Sequence, residues 1–228
     1  MTTPEETKST SSLPPPDRRP DKFNPYYPPV RETFRAIFTL LGGIKVVGAE
    51  YIPATGGVIV APNHTSMVDP PLMACAVKRP LRYMTKAEMF KVPVIGPLCI
   101  QLGGFPVVRG TADRGAIRKA LSVLANGEVL IIFPEGNRGD GVTLQEAEKG
   151  AAMIAIKSGV PIVPCYIDGS SKMLGKGKSF PSRARLTVRF GPAIDAADYA
   201  GKGGIDRLGP DIMAAIGKLR DDHYGAAK

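Results

Sequence analysis

The sequence has no tryptophan, two histidines and three cysteines. Cys75, Cys99 and Cys165 are odd in number and widely spaced, which argues against a disulfide framework and suits a reducing compartment. No cysteine pair has zinc-finger spacing, and two histidines do not complete a structural metal set, so no metal site is expected. Long apolar runs are also missing. A spanning helix needs roughly 20 apolar residues, and the best stretch, residues 36–44, is about half that length. The first residues are polar, without the basic start and apolar core of a signal peptide. Neither a Gly-x-Gly-x-x-Gly fingerprint nor a Gly-x-x-x-x-Gly-Lys-Ser/Thr phosphate loop occurs, so the two common nucleotide-binding folds have no support.

Positive charge is in excess. The net charge of +9 favours an anionic partner such as a lipid surface, a phosphorylated substrate or an acidic carrier protein. Nucleic acid is disfavoured, because the basic residues are scattered and aromatics do not interleave with them. Pro14, Pro15, Pro16, Pro20 and Pro25 punctuate residues 1–27. That stretch holds too little apolar surface to offset its ordering entropy and reads as a disordered arm. One domain is expected over residues 28–228.

Within it, Phe34, Ile37, Phe38 and Leu41 fall on one helical face over residues 31–43, ended by Gly42 and Gly43. Strand patterns follow at 44–47, 58–60, 81–84, 105–108, 129–133, 162–167 and 185–190, alternating with helical patterns. Residues 111–125 read as an amphipathic helix. Thr143 and Glu146 have capping-box spacing for a helix running to Ser158. The alternation predicts an α/β fold around a largely parallel or mixed sheet flanked by helices, with its chemistry at loops leaving the strand ends.

Four segments carry polar groups at such places. Asn63-His64-Thr65-Ser66-Met67-Val68-Asp69 leaves an apolar strand and enters a helix at Pro70 and Pro71, where proline suits the first turn. Asp69 can cap that helix, or fold back onto His64 and orient it as a general base. No Ser or Cys stands as a nucleophile beside it, so His64 would activate a substrate hydroxyl directly. Gly104 to Arg109 ends a strand in an arginine suited to paired bonds with phosphate. Phe133-Pro134-Glu135-Gly136-Asn137-Arg138 sets a polar turn at a strand end, where a plain Glu–Arg pair is the alternative. Val160 to Cys165 carries two prolines at a strand entry and reads as architecture.

Together these segments resemble the glycerolipid acyltransferase family, especially the 1-acylglycerol-3-phosphate acyltransferases. Asn63 through Asp69 is similar to the family's Asn-His-x-Ser-x-x-Asp block. Gly104 to Arg109, Phe133 to Arg138 and Val160 to Pro164 resemble its second, third and fourth blocks. Lys86-Ala87-Glu88-Met89-Phe90 resembles its Lys-x-Glu-leucine-phenylalanine stretch. Order and spacing agree over about residues 44–168. Two departures bear on the acceptor: Asn137 and Gly139 replace the usual Thr and Ser, and Met67 stands where an aromatic residue is common.

The resemblance implies acyl transfer to the free hydroxyl of a 1-acylglycerol 3-phosphate, giving phosphatidic acid for phospholipid biosynthesis. His64 is then the base and Asp69 its partner. Arg109, Glu135, Gly136 and Arg138 hold the glycerol-phosphate end, with Lys86 near the thioester or the phosphate. No cofactor is implied; an acyl-CoA or acyl carrier protein thioester is the co-substrate. The implied partners are a membrane lipid acceptor, an anionic membrane surface and the acyl carrier protein. The implied location is peripheral or monotopic on the cytoplasmic side, docked through the apolar face of residues 31–43 with Arg31, Arg35 and Lys45 at headgroups. The competing readings are the same chemistry on glycerol 3-phosphate or another lysophospholipid, a hydrolase, and a non-catalytic lipid- or carrier-binding protein.

Overall fold

The computed structural model describes residues 24–108 and 113–225. The proline-rich arm, apart from its last residues, and Arg109 lie outside the described residues. The first helix, α1 (Tyr27–Leu40), starts earlier than its apolar periodicity indicates because Pro28 and Pro29 occupy its first turn, where missing N–H groups cost nothing. Tyr27, assigned to the arm from sequence, is buried in the core.

After β1 (Ile44–Val47) and β2 (Val58–Pro62), α2 (Asp69–Ala76) leads to β3 (Leu81–Lys86). Then come α3 (Ile95–Gln101), β4 (Gly104–Val107), α4 (Arg114–Ala125) and β5 (Val129–Ile131). The chain closes with α5 (Lys149–Ser158), β6 (Ile162–Asp168), α6 (Ser170–Leu174), β7 (Leu186–Phe190) and α7 (Gly204–Gly225). The seven strands form one mixed sheet in the order β1-β7-β6-β2-β5-β3-β4. Every pairing is parallel except β6 with β7. Two apolar clusters, one on each face, sandwich the sheet. One holds Phe38, Leu72 and Met73, the other Leu124, Ile154 and Ile212. Val58, Ile59 and Val60 on β2 are wholly buried, as a continuous apolar run in a parallel sheet requires.

Three expectations change. The capping box at Thr143 and Glu146 does not form, and α5 begins at Lys149. The intervening chain is tied to the turn after β5 instead: Gln145 N–H donates to Glu135 and Glu148 N–H to the Pro134 carbonyl. The face of α1 assigned to membrane docking is divided, with Phe38 buried and Phe34 and Leu41 packed beside it while Ile37 stays exposed. Arg31 and Arg35 both pair with Glu32, at 2.8 and 3.1 Å, and Arg35 also donates to the Cys75 carbonyl. Asp69 is not a helix cap either; Val68 precedes α2 without a side-chain cap bond, and Asp69 is the first helical residue. No helix among the described residues is long and apolar enough to cross a membrane.

Candidate active site

The carboxyl ends of the parallel strands β2, β3, β5 and β6 converge, and the polar segments leave from there. Asn63 closes β2 onto β6: its amide donates to the Ile167 carbonyl and accepts from the Ile167 N–H. His64 follows directly, and a tight turn brings Asp69 back to it. One carboxylate oxygen of Asp69, Oδ2, lies 2.8 Å from His64 Nδ1 and accepts the N–H groups of Thr65 and Ser66, each also at 2.8 Å. Asp69 is fully buried, at the first turn of α2, where the helix dipole favours an anion. The carboxylate accepts a hydrogen bond from the Nδ1–H of the imidazole, which leaves the Nε2 lone pair as the basic one. Phe133 stacks on the ring with centroids 4.0 Å apart and fixes its plane.

Glu135 is placed differently from its expected role on substrate. It is buried, with one oxygen accepting the His64 backbone N–H at 2.8 Å and the other the Gln145 N–H at 3.1 Å. Burial raises its pKa above the usual carboxylate range. The same turn supplies the Gly139 N–H to the His64 carbonyl. Both backbone groups of His64 are therefore held by residues 135–139. Gly136 has φ of +68°, and a Cβ there would meet the Glu148 side chain at 2.7 Å, so the turn needs glycine for its shape. Neither Glu135 nor Gly136 faces the cavity; both shape the wall behind it.

His64 opens onto a cavity of about 590 Å³. Phe34, Pro71, Tyr83, Ile95, Leu98 and Leu102 make much of its wall apolar, while Lys86, Asn137 and Arg138 line it as polar groups. The structure thus unites His64, Asp69, Lys86 and Arg138 at one site. Sequence reading missed the contributions of α3 and of the segment after β6, whose Leu174 and Lys176 also line the cavity. The apolar spacing within α3 is too short to signal a helix. Burial pushes the thiols of Cys75, to about 11, and Cys99 upward, and that of Cys165 well above its ordinary value. A buried, protonated thiol is a poor nucleophile. Among the described residues no group of His, Cys, Asp and Glu gathers as a metal site.

A His–Asp pair opening onto a largely apolar cavity rimmed by cations suits an enzyme that acts on an anionic, chain-bearing substrate. The comparisons with known proteins agree with that class. Residues 43–168 match the family model described as Acyltransferase. The 1-acyl-sn-glycerol-3-phosphate acyltransferase of Bacillus subtilis is 30% identical over 82% of this chain and 92% of its own length. The enzyme of that name from Borreliella burgdorferi is 29% identical over 68% of this chain and 64% of its own. The crystal structure of the 1-acyl-sn-glycerophosphate acyltransferase PlsC from Thermotoga maritima superposes with a TM-score of 0.72 at 26% identity, covering 85% of this chain and 79% of that one. The chain belongs to the acyltransferase family.

Proposed function

We propose that this enzyme transfers an acyl chain from an acyl thioester to the free hydroxyl of a 1-acylglycerol 3-phosphate, giving phosphatidic acid. The observation that carries this reading is the placement of the Asp69-supported His64 on an apolar cavity shared with Lys86 and Arg138. His64 Nε2 removes the hydroxyl proton, and the hydroxyl oxygen attacks the thioester carbonyl. The C–O bond forms, the C–S bond breaks, and the thiolate leaving group recovers the proton from the imidazolium. Asp69 remains ionised and stabilises that imidazolium. Apolar walls exclude water, which favours the lipid hydroxyl over hydrolysis. The donor is a coenzyme A or acyl carrier protein thioester. A panel of phosphorylated and unphosphorylated acceptors with one labelled thioester tests the reading; release of free acid at an equal rate without acceptor identifies a hydrolase instead.

Arg138 and Lys86 are the phosphate-side cations of this reading, with Arg109 joining them on the motif resemblance. A charge-assisted bond contributes about 1.5–3 kcal/mol, which corresponds to roughly 10- to 150-fold. Arg138→Ala is expected to lower kcat/KM for lysophosphatidate by that range and to change use of a monoacylglycerol much less. Equal losses on both acceptors would show that Arg138 does not read phosphate.

The membrane surface of this reading keeps Ile37 of the expected face and adds residues beside it. Ile37 and Leu40 on α1 and Val92, Val94 and Ile100 at α3 are exposed. The two helices pack together, and their other residues, Phe34, Ile95 and Leu98, wall the cavity. Val94 is a β-branched residue at φ of +68°, a strained conformation that remains 71% exposed. The protein docks peripherally there on the cytoplasmic face, where free thiols persist. Val94→Gly with Ile100→Ser removes apolar area of about 2 kcal/mol, or roughly 30-fold in vesicle partition. Flotation with anionic vesicles is expected to show that loss without a fall in melting temperature, because glycine relieves the strain at position 94. Unchanged flotation would place docking elsewhere.

A further inference from the structure

We infer that Lys176 is a substrate phosphate-binding residue, delivered to the site by a segment that lies beyond the matched family region. This rests on the acyl-transfer reading above and extends its anion site to a residue that the four motifs do not contain. The family match ends at residue 168. The chain then turns through α6 and lies across the catalytic block. Ser66 forms a β-bridge with Gly175, and the Ser66 hydroxyl donates to the Leu174 carbonyl at 2.5 Å. Thr65 and Ser170 share a hydroxyl–hydroxyl bond of 2.9 Å. Ser66 and Ser170 are fully buried, so these ties sit in the interior and hold the segment in register with His64.

The segment's placement depends on close approach. A Cβ on Gly175 would lie 2.5 Å from the Ser171 carbonyl oxygen, so glycine lets the chain turn tightly there. Leu174 and Lys176, on either side of it, both line the cavity that His64 opens onto. Three cations then rim that space, Lys86, Arg138 and Lys176, with no carboxylate among the lining residues. None of the three forms an ion pair among the described residues. Other lysines of the segment are used otherwise: the Lys178 ammonium donates to the Lys172 carbonyl. Uncompensated like charges facing one apolar cavity call for an anion of more than one negative charge. A phosphate is that ligand. It comes either from the acceptor's phosphomonoester or from the phosphates of a coenzyme A or phosphopantetheine donor.

The test uses the full chain with Lys176→Ala, Lys176→Arg and, as control, Lys172→Ala, an exposed lysine of the same segment that does not line the cavity. kcat/KM is measured for a short-chain lysophosphatidate and for a monoacylglycerol. It is also measured for acyl-coenzyme A and for a truncated thioester without phosphate. Lys176→Ala is expected to lose about 10- to 100-fold on a phosphate-bearing substrate, the loss of one charge-assisted contact, while its phosphate-free counterpart is little changed. Lys176→Arg recovers most of the loss and Lys172→Ala shows none. A loss confined to lysophosphatidate assigns Lys176 to the acceptor, and one confined to acyl-coenzyme A assigns it to the donor. Unchanged kinetics, or equal losses on all four substrates, overturn the inference. If the wild-type chain itself shows no preference for the phosphorylated acceptor, the proposed function fails; if that preference is intact in Lys176→Ala and donor use is also unchanged, only this inference does.

Discussion

His64→Ala is expected to lower acyl transfer by about 10²–10⁴-fold, the usual contribution of a positioned general base, while the melting temperature stays close to wild type. The ring lies at the cavity wall and contributes Phe133 stacking, but its backbone bonds to Glu135 and Gly139 persist in alanine. Asp69→Asn is expected to fall less, by about 10²-fold. The N–H groups of Thr65 and Ser66 hold whichever oxygen stands at the Oδ2 position, so the amide oxygen still accepts the Nδ1 proton. Only the negative charge that supports the imidazolium is lost. Steady-state kinetics and thermal melts decide the matter. A His64→Ala protein that melts normally and keeps more than a tenth of wild-type activity would remove His64 from the chemistry.

The second large effect is expected at Glu135, which acts as a positioning residue through the His64 backbone. In Glu135→Gln one backbone N–H faces an amide donor in place of an oxygen, an uncompensated buried group worth about 1–3 kcal/mol of stability. The turn relaxes, and a displacement of about 1 Å at a base costs on the order of 10²-fold in rate. The expected signature is a fall in kcat with KM for the acceptor nearly unchanged. A raised KM at constant kcat would return Glu135 to direct substrate binding. The pH dependence separates the two as well. Because burial raises the Glu135 pKa, the native state binds more protons than the unfolded chain between the ordinary glutamate range and the raised value. Stability contributed by this group therefore rises as pH falls through that window, while activity falls as the carboxylate is lost. Glu135→Gln should abolish that opposed pair of trends.

The α/β order was legible because the central strands β2 and β5 are short apolar runs bounded by turn residues, and the long helices repeat their apolar residues every three or four positions. The His64–Asp69 pairing was legible as spacing: a turn of five residues ahead of two prolines leaves the carboxylate close to the ring. Glu135 shows where that reasoning stops. A glutamate at a strand end reads equally well as a substrate ligand or as a clamp on backbone, and its partners, His64 and Gln145, lie 71 and 10 residues away. The expected docking face of α1 is divided between core and surface for a similar reason. Phe34 and Phe38 mark an apolar face, but a periodicity does not say whether core or lipid covers it.

The sequence by itself determined the fold class and offered the pairing of His64 with Asp69 as one of two readings, because these depend on local periodicity and short-range turns. Only the tertiary structure decided which charged groups touch the cavity and which support the backbone behind it. Sheet order sets that division: β2 lies between β5 and β6, so Glu135 from one neighbour reaches the His64 amide while the segment after the other brings Lys176 to the cavity. Residues far apart in the chain become neighbours through parallel crossovers, and no local pattern records which of them will meet.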